Sequence, residues 1–295
     1  MRTLTAICVA PLLVLTLASC AGPSPAALPT ESTLPSVSLV GYEDVSVLVD
    51  ESTGQFVFPI DAYLMDTDAL RSVDYANDIL VQQCVTAAGG SYVATEPEQP
   101  GAQPADRRYG LWDVAEAAQY GYALNVGEVS LADPNESAGQ DPTEADARIL
   151  DGCVAEIDFL PSVGRGSLAS RDQDPEFYLA ANLMNTAYAL ATADERWTAI
   201  DQEWEQCLID AGLETVHDQE SVPVSPVVPD DPELSLRTAV AEAECSVSVN
   251  RVQVLGDVES QYQAALIDQQ QAALDESLAE QKAVVDEAAS IITGK

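Results

Sequence analysis

The sequence predicts a mainly α-helical, disulfide-stapled domain with a small N-terminal β-hairpin and a long C-terminal helix. Three observations carry that prediction. VQQCVTAAG (81–89) and WEQCLIDAG (204–212) repeat the pattern Q-C-φ-x-x-A-G, with φ aliphatic, which reads as a helix end closed by a left-handed glycine. Asp-Pro recurs at Asp133-Pro134, Asp141-Pro142, Asp174-Pro175 and Asp231-Pro232. Asp is a good N-cap, and proline is tolerated at the first helical position because its missing N–H would have no partner there. From Leu255 onward, Val258, Tyr262, Leu266, Leu274, Leu278, Val285 and Ile292 recur mostly at helical spacing, as one buried stripe requires.

In chain order, MRTLTAICVAPLLVLTLAS carries Arg2, an apolar stretch from Leu4 to Leu17 and small residues before Cys20. This is a secretory leader, too short for a spanning helix of about 20 apolar residues. Leu17-Ala18-Ser19-Cys20 resembles the lipobox of bacterial lipoproteins. The resemblance implies cleavage before Cys20, a lipid on its sulfur, and anchoring at the outer face of the cytoplasmic membrane, since joined acyl chains hold a protein stably on a bilayer. Residues 20–44 read as a tether, proline-rich at Pro23, Pro25, Pro29 and Pro35 and so extended. Residues 45–295 form one ectodomain with pseudo-duplicated halves at about 59–160 and 175–295.

VSVLVDESTGQFVF (45–58) alternates apolar residues around a polar connection and predicts the hairpin. Everything after Pro59 reads as helical. The expected helices are 67–88, 114–120, 142–158, 175–191, 194–211 and 232–292, and the C-terminal half of the last is open to three placements: projecting into solvent, pairing with a copy of itself or resting on a partner. Asp133-x-x-Glu136 and Asp141-x-x-Glu144 fit capping boxes. Residues 91–106 and 215–231, rich in proline and acid, read as connections.

Of six cysteines, Cys8 leaves with the leader and Cys20 takes the lipid. Cys84, Cys153, Cys207 and Cys245 remain, an even set in an exported chain. Three pairings are open. The repeat favours Cys84 with Cys153 and Cys207 with Cys245, one staple in each half. A redox role is disfavoured, because no C-x-x-C occurs and no Lys or His stands near to lower a thiol pKa.

The formal net charge is −37, and the leader removes one arginine and no acid. Such a surface repels phosphate backbones, which argues against nucleic-acid binding. G-x-S-x-G, S-x-x-K, P-loop and G-x-G-x-x-G motifs are absent, removing the common serine-hydrolase and nucleotide readings. The single histidine, His217, has no cysteine or second histidine near it and reads as a solvated residue rather than a zinc ligand. No metal or cofactor is expected.

One constellation stands out, RRYGLWDVAEAAQYGY, with Arg107, Arg108, Tyr109, Trp112, Tyr120 and Tyr122. Arginine with aromatics can stack a planar ligand and pair its carboxylate, but the same residues can form a structural corner in which the arginines answer nearby acids. A carboxylate pair among Asp61, Asp66 and Asp68 could in principle serve a glycan hydrolase. FPIDAYLMDTD, ANDILVQQC, RRYGLWDVAEAAQYGY, DGCVAEI, WEQCLIDAG and AEAEC leading into VESQYQAALIDQ together resemble a group of exported actinobacterial proteins, many of them lipoproteins. The resemblance runs from about Phe58 to Gln269. It departs at Val85 and Leu208, where methionine is frequent in the group. It implies export and this architecture, and brings no activity with it. The expectation is therefore a membrane-anchored, non-enzymatic binding or interaction protein of the cell envelope with an envelope protein as partner. A cell-wall polymer hydrolase and a solute-binding lipoprotein are the alternatives.

Overall fold

The computed structural model describes residues 34–96, 104–123, 144–162, 174–217 and 223–294, with the side chains of Pro223 and Val224 left aside. The expected leader, Cys20, most of the tether and the Asp133-Pro134 and Asp141-Pro142 starts lie outside the described residues. Strands β1 (Leu48–Asp50) and β2 (Gln55–Val57) pair antiparallel with Val49 opposite Phe56, the expected hairpin. A 3₁₀ turn over Pro59–Tyr63 leads into helix α1 (Thr67–Ala87), whose N-cap Asp66 accepts from the Ala69 N–H at 2.8 Å. Then follow α2 (Val114–Tyr120), α3 (Glu144–Glu156), α4 (Leu179–Thr192) and α5 (Glu195–Asp210). The chain closes with α6 (Pro232–Ser248) and α7 (Arg251–Thr293).

α7 is the axis of the fold. Its first part buries Val252, Leu255, Val258 and Leu266 against Leu183, Ala187 and Leu190 of α4, Trp197 and Ile200 of α5, and Val47 and Phe56 of the hairpin. After a kink at Gln270 (φ −122°, ψ 16°), its second part packs on α1, with Ala288 against Val73, Ala76 and Leu160. The C-terminal half of α7 therefore rests on α1 of the same chain. Its polar stripe is docked too: Ser277 donates to the Phe177 carbonyl and Gln281 to the Tyr63 carbonyl, at 3.0 and 3.1 Å.

The repeated motif is a pair of matching helix ends. Gly89 and Gly212 take φ +83° and +80°. Beyond them the Gly90 N–H reaches the Val85 carbonyl and the Leu213 N–H reaches the Leu208 carbonyl, both at 2.9 Å. This is the six-to-one bond of a Schellman cap, and it explains the aliphatic position: Val85 and Leu208 are buried beneath the cap. The neighbouring cysteines pair as favoured, Cys84 with Cys153 and Cys207 with Cys245, with Cα separations of 5.8 and 5.7 Å.

Four expectations give way. The long terminal helix is two helices, broken at Val249 and Asn250, where Asn250 adopts φ 55°. Asn is one of the few L-residues that enters the left-handed region readily, so the break needs neither glycine nor proline and leaves the apolar spacing intact. Helix α4 starts at Leu179 rather than 175, because Tyr178 (ψ 17°) interrupts the turn that Asp174 caps through the Phe177 N–H at 3.1 Å. Part of the stretch read as a connection forms a second hairpin, β3 (Thr215–His217) with β4 (Pro223–Pro226). Residues 34–44, expected in the tether, belong to the folded unit; the Tyr42 hydroxyl donates to Asp268 at 2.9 Å and Gln261 donates to the Glu43 carbonyl at 3.0 Å.

Gly256 marks where the first hairpin presses on α7, since a Cβ there would lie 2.4 Å from Val47 Cγ1. Gly256→Ala should therefore lower stability by about 1–3 kcal/mol through overpacking, although alanine is the better helix former. Urea denaturation checks this, and a rise in the midpoint would contradict the close approach.

Candidate functional site

The Arg107–Tyr122 segment folds inward. Gly110, at φ +89°, turns the chain tightly enough that a Cβ there would stand 2.9 Å from Glu242 Oε1. The turn sends Tyr109 into the core, where its ring stacks on Phe56 at 5.6 Å and meets Trp197 edge-on at 5.6 Å. Trp112 also stacks on Phe56, at 5.5 Å, and its indole N–H donates to the Asp106 carbonyl at 2.7 Å.

Both arginines are held within the chain, although Nε of Arg107 is buried without a hydrogen-bond partner. Arg107 pairs with Glu116 at 2.8 Å and donates to the Tyr122 and Ala123 carbonyls, both at 3.0 Å. Arg108 grips Glu259 of α7 with Nε at 2.9 Å and Nη2 at 2.5 Å, lying between the rings of Phe58 and Tyr188 at 5.3 and 5.1 Å. Glu259 is wholly buried (0% exposed) and accepts further bonds from the Tyr109 hydroxyl at 2.7 Å and Gln263 at 2.9 Å. A carboxylate so surrounded has its desolvation offset by charge-assisted hydrogen bonds. Tyr122 donates to Glu242 at 2.8 Å, and Tyr120 is half-buried at the end of α2. Arg107 thus pairs with Glu116 and Arg108 with Glu259 inside the protein, the contacts that a structural corner would make.

A second buried pair sits beside it. Arg251, at the start of α7, bonds Asp201 of α5 at 2.7 Å, donates to the Tyr109 carbonyl and lies 4.3 Å over the Trp204 ring. The sequence marked neither Arg251 nor Glu259, because single polar residues inside a helical stripe look like solvated positions. Burial raises the carboxyl pKa of both Asp201 and Glu242. Burial and the adjacent carboxylates of Glu259 and Glu242 push the Tyr109 and Tyr122 hydroxyls far up as well.

A group that binds its proton more tightly when folded stabilises the fold most below its ordinary pKa and loses that contribution as pH rises through the folded value. For Asp201 and Glu242 that loss begins near pH 4, the ordinary carboxylate range. Asp194, held low by Arg196, acts only below that range. Self-repulsion at a charge of −37 also eases on acidification. The melting temperature should therefore be higher at pH 5 than at pH 7, with a smaller gap in high salt. Calorimetry at the two pH values checks this, and a fall between pH 7 and pH 5 would contradict it.

The other sequence candidates have structural roles. Asp61 accepts from the Phe58 N–H at 2.7 Å, Asp66 caps α1 and Asp68 pairs with Arg71. His217 lies in β3, half-exposed, 2.9 Å from Glu205 and 3.1 Å from the Thr215 hydroxyl. Among the described residues no group of His, Cys, Asp and Glu could hold a metal ion, and no helix is long and apolar enough to cross a membrane.

The sequence missed two concavities on either side of the 175–179 turn. One is an apolar pocket of about 150 Å³ between α1, α4 and α7, walled by Leu64, Met65, Leu70, Phe177, Ala181 and Met184. The other is a cleft of about 270 Å³ beside the α7 kink, lined by Glu176, Gln270, Glu276 and Glu280. A faint signal for the pocket was present, since Met65 and Met184 are the only methionines after Met1 and both line it. No protein-family model, curated protein or solved structure matches the chain.

Proposed function

We propose that this is an exported, lipid-anchored binding protein of the cell envelope that works by contact with a protein partner and not by catalysis. The observation that carries the reading is where the charges go. Every arginine among the described residues pairs with a carboxylate of the same chain: Arg71, Arg148, Arg196 and Arg237 on the surface, Arg107, Arg108 and Arg251 inside. The carboxylates first suspected of catalysis act as caps and ion-pair partners. Among the described residues the charge left outward is mostly acid, with Lys282 as an exposed cation, and it is broken by an apolar pocket, a surface suited to recognition. Cys20 and the leader supply the anchor, and export is consistent with two disulfides.

Crosslinking in intact cells followed by capture of the native protein tests this. A defined membrane or envelope protein, lost when Cys20→Ser releases the chain from the membrane, is the expected result. Capture of glycan polymer alone, shortened over time by the purified protein, would overturn the reading in favour of a hydrolase.

A further inference from the structure

The apolar pocket between α1, α4 and α7 has features of a receptor for one side chain. Its walls hold both internal methionines, Met65 and Met184, with Leu64, Leu70, Phe177 and Ala181. Unbranched thioethers adapt to different shapes and are favoured at surfaces that accept apolar partners. Gln281, also in the wall, has its amide hydrogens directed to the Tyr63 carbonyl and the Ser277 hydroxyl, so its donors are taken within the protein. At about 150 Å³ the space matches a cavity that takes a benzene-sized group. That suits a leucine, methionine or phenylalanine side chain and is short for a lipid acyl chain.

The surroundings select by charge. The 175–179 turn walls both concavities: Phe177 and Tyr178 line the apolar pocket, while Pro175, Glu176 and Leu179 line the acidic cleft with Glu276 and Glu280. Glu176, Glu276 and Glu280 are exposed, and the arginines of the described residues pair with other carboxylates. Among the described residues the cation outside those pairs is Lys282, which follows Gln281 on α7 and is a single charge against three. An anionic lipid or acidic peptide would be repelled here, whereas a basic segment would be steered in.

We propose that this pocket receives a single apolar side chain carried on a positively charged segment of the partner protein, with the flanking basic residues over the Glu176, Glu276 and Glu280 cleft. The proposal rests on the reading of this chain as an interaction protein and names the chemistry of the partner. A buried apolar anchor ringed by weaker polar contacts is the usual pattern of a binding hot spot.

The test uses the full chain with both disulfides formed, in phosphatidylcholine nanodiscs and labelled with carbon-13 at the methionine methyls, so that Met65 and Met184 report directly. The probe is the peptide Lys-Lys-Leu-Lys-Lys. It should shift both methyl signals saturably, more weakly as salt rises. Lys-Lys-Ser-Lys-Lys should bind roughly 10- to 100-fold less tightly, the factor that burial of a leucine-sized side chain supplies, and Glu-Glu-Leu-Glu-Glu should leave the signals unmoved. Ala181→Leu, which fills the space, should abolish the shifts while keeping the melting temperature. If that variant fails to fold, Glu176→Lys with Glu280→Lys, both exposed, should weaken the basic peptide severalfold.

Unmoved methyl signals with Lys-Lys-Leu-Lys-Lys would overturn the proposal. So would equal shifts from the acidic peptide, or shifts that appear only on doping the nanodiscs with phosphatidylglycerol, which would mark a lipid site. A partner captured in cells despite a silent pocket would leave the interaction reading standing and remove only this site. No partner by either route would remove both.

Discussion

Arg108→Ala is expected to destabilise the protein by about 3–5 kcal/mol, the cost of leaving a buried charge without its partner. The arginine is 25% exposed at its side chain, but Glu259 is 0% exposed, so truncation strands a carboxylate deep between α7 and the corner. Tyr109 and Gln263 can still donate to it, which places the effect toward the lower end of the range. Arg108→Met combined with Glu259→Gln should recover most of the loss, because the charge and its counter-charge go together while the glutamine still offers an oxygen to Tyr109. Urea denaturation of the single and double variants measures both. A single variant within about 0.5 kcal/mol of the parent, as for an ordinary surface site, would mean that the corner is solvated and the arginine free for ligands. The same result warns against using Arg108 to map a binding surface, since loss of partner capture would report unfolding.

Opening the Cys207–Cys245 bridge, by Cys207→Ser with Cys245→Ser, should cost about 4 kcal/mol on the chain-entropy model for a loop of 38 residues. The bridge ties α5 to α6 next to the buried Trp204 and Leu208, and it holds α6 where Asn250 reverses the chain into α7. At about 2–4 °C per kcal/mol for a domain of this size, the melting temperature should drop by roughly 8–16 °C. The Cys84–Cys153 bridge closes 69 residues, so its loss should cost slightly more on the same model. Calorimetry of the two double-serine variants decides. If neither shifts the melting temperature by more than 2 °C, the staples add nothing to a fold that stands by packing.

Much of this fold is legible because its signals are local. The Asp231-Pro232 pair, the Q-C-φ-x-x-A-G helix ends and the alternating valines each state their structure within a few residues, and the matching helix ends even point to the disulfide pairing. What stayed hidden depends on distant partners. Asn250 looks like any polar residue within a helical pattern until Cys245 and Arg251 fix the chain on either side of it. Val285 and Ala288 read as a helix face with no visible partner because α1, some two hundred residues earlier, supplies the other side of that contact. The β3–β4 hairpin was masked by Pro223 and Pro226, which weaken any strand signal and are accommodated in a short edge pair.

The site divides along the same line. The Arg107–Tyr122 segment is conspicuous in sequence because it gathers rare arginines with aromatics, and those side chains turn out to hold the core together. The pocket is inconspicuous because Met65, Phe177 and Met184 are ordinary apolar residues brought together only by tertiary packing. Exposed acids, in a chain with 49 of them, carry no positional signal until the 175–179 turn sets three of them beside that pocket.

The most direct measurement places a photo-activatable benzophenone side chain at one of two exposed positions in living cells. Position Glu176 is at the acidic cleft beside the pocket, and position Gln119 is on α2 at the corner. A discrete protein adduct is expected from position 176 and none from position 119. An adduct from position 119 alone would contradict it, returning the binding role to the corner.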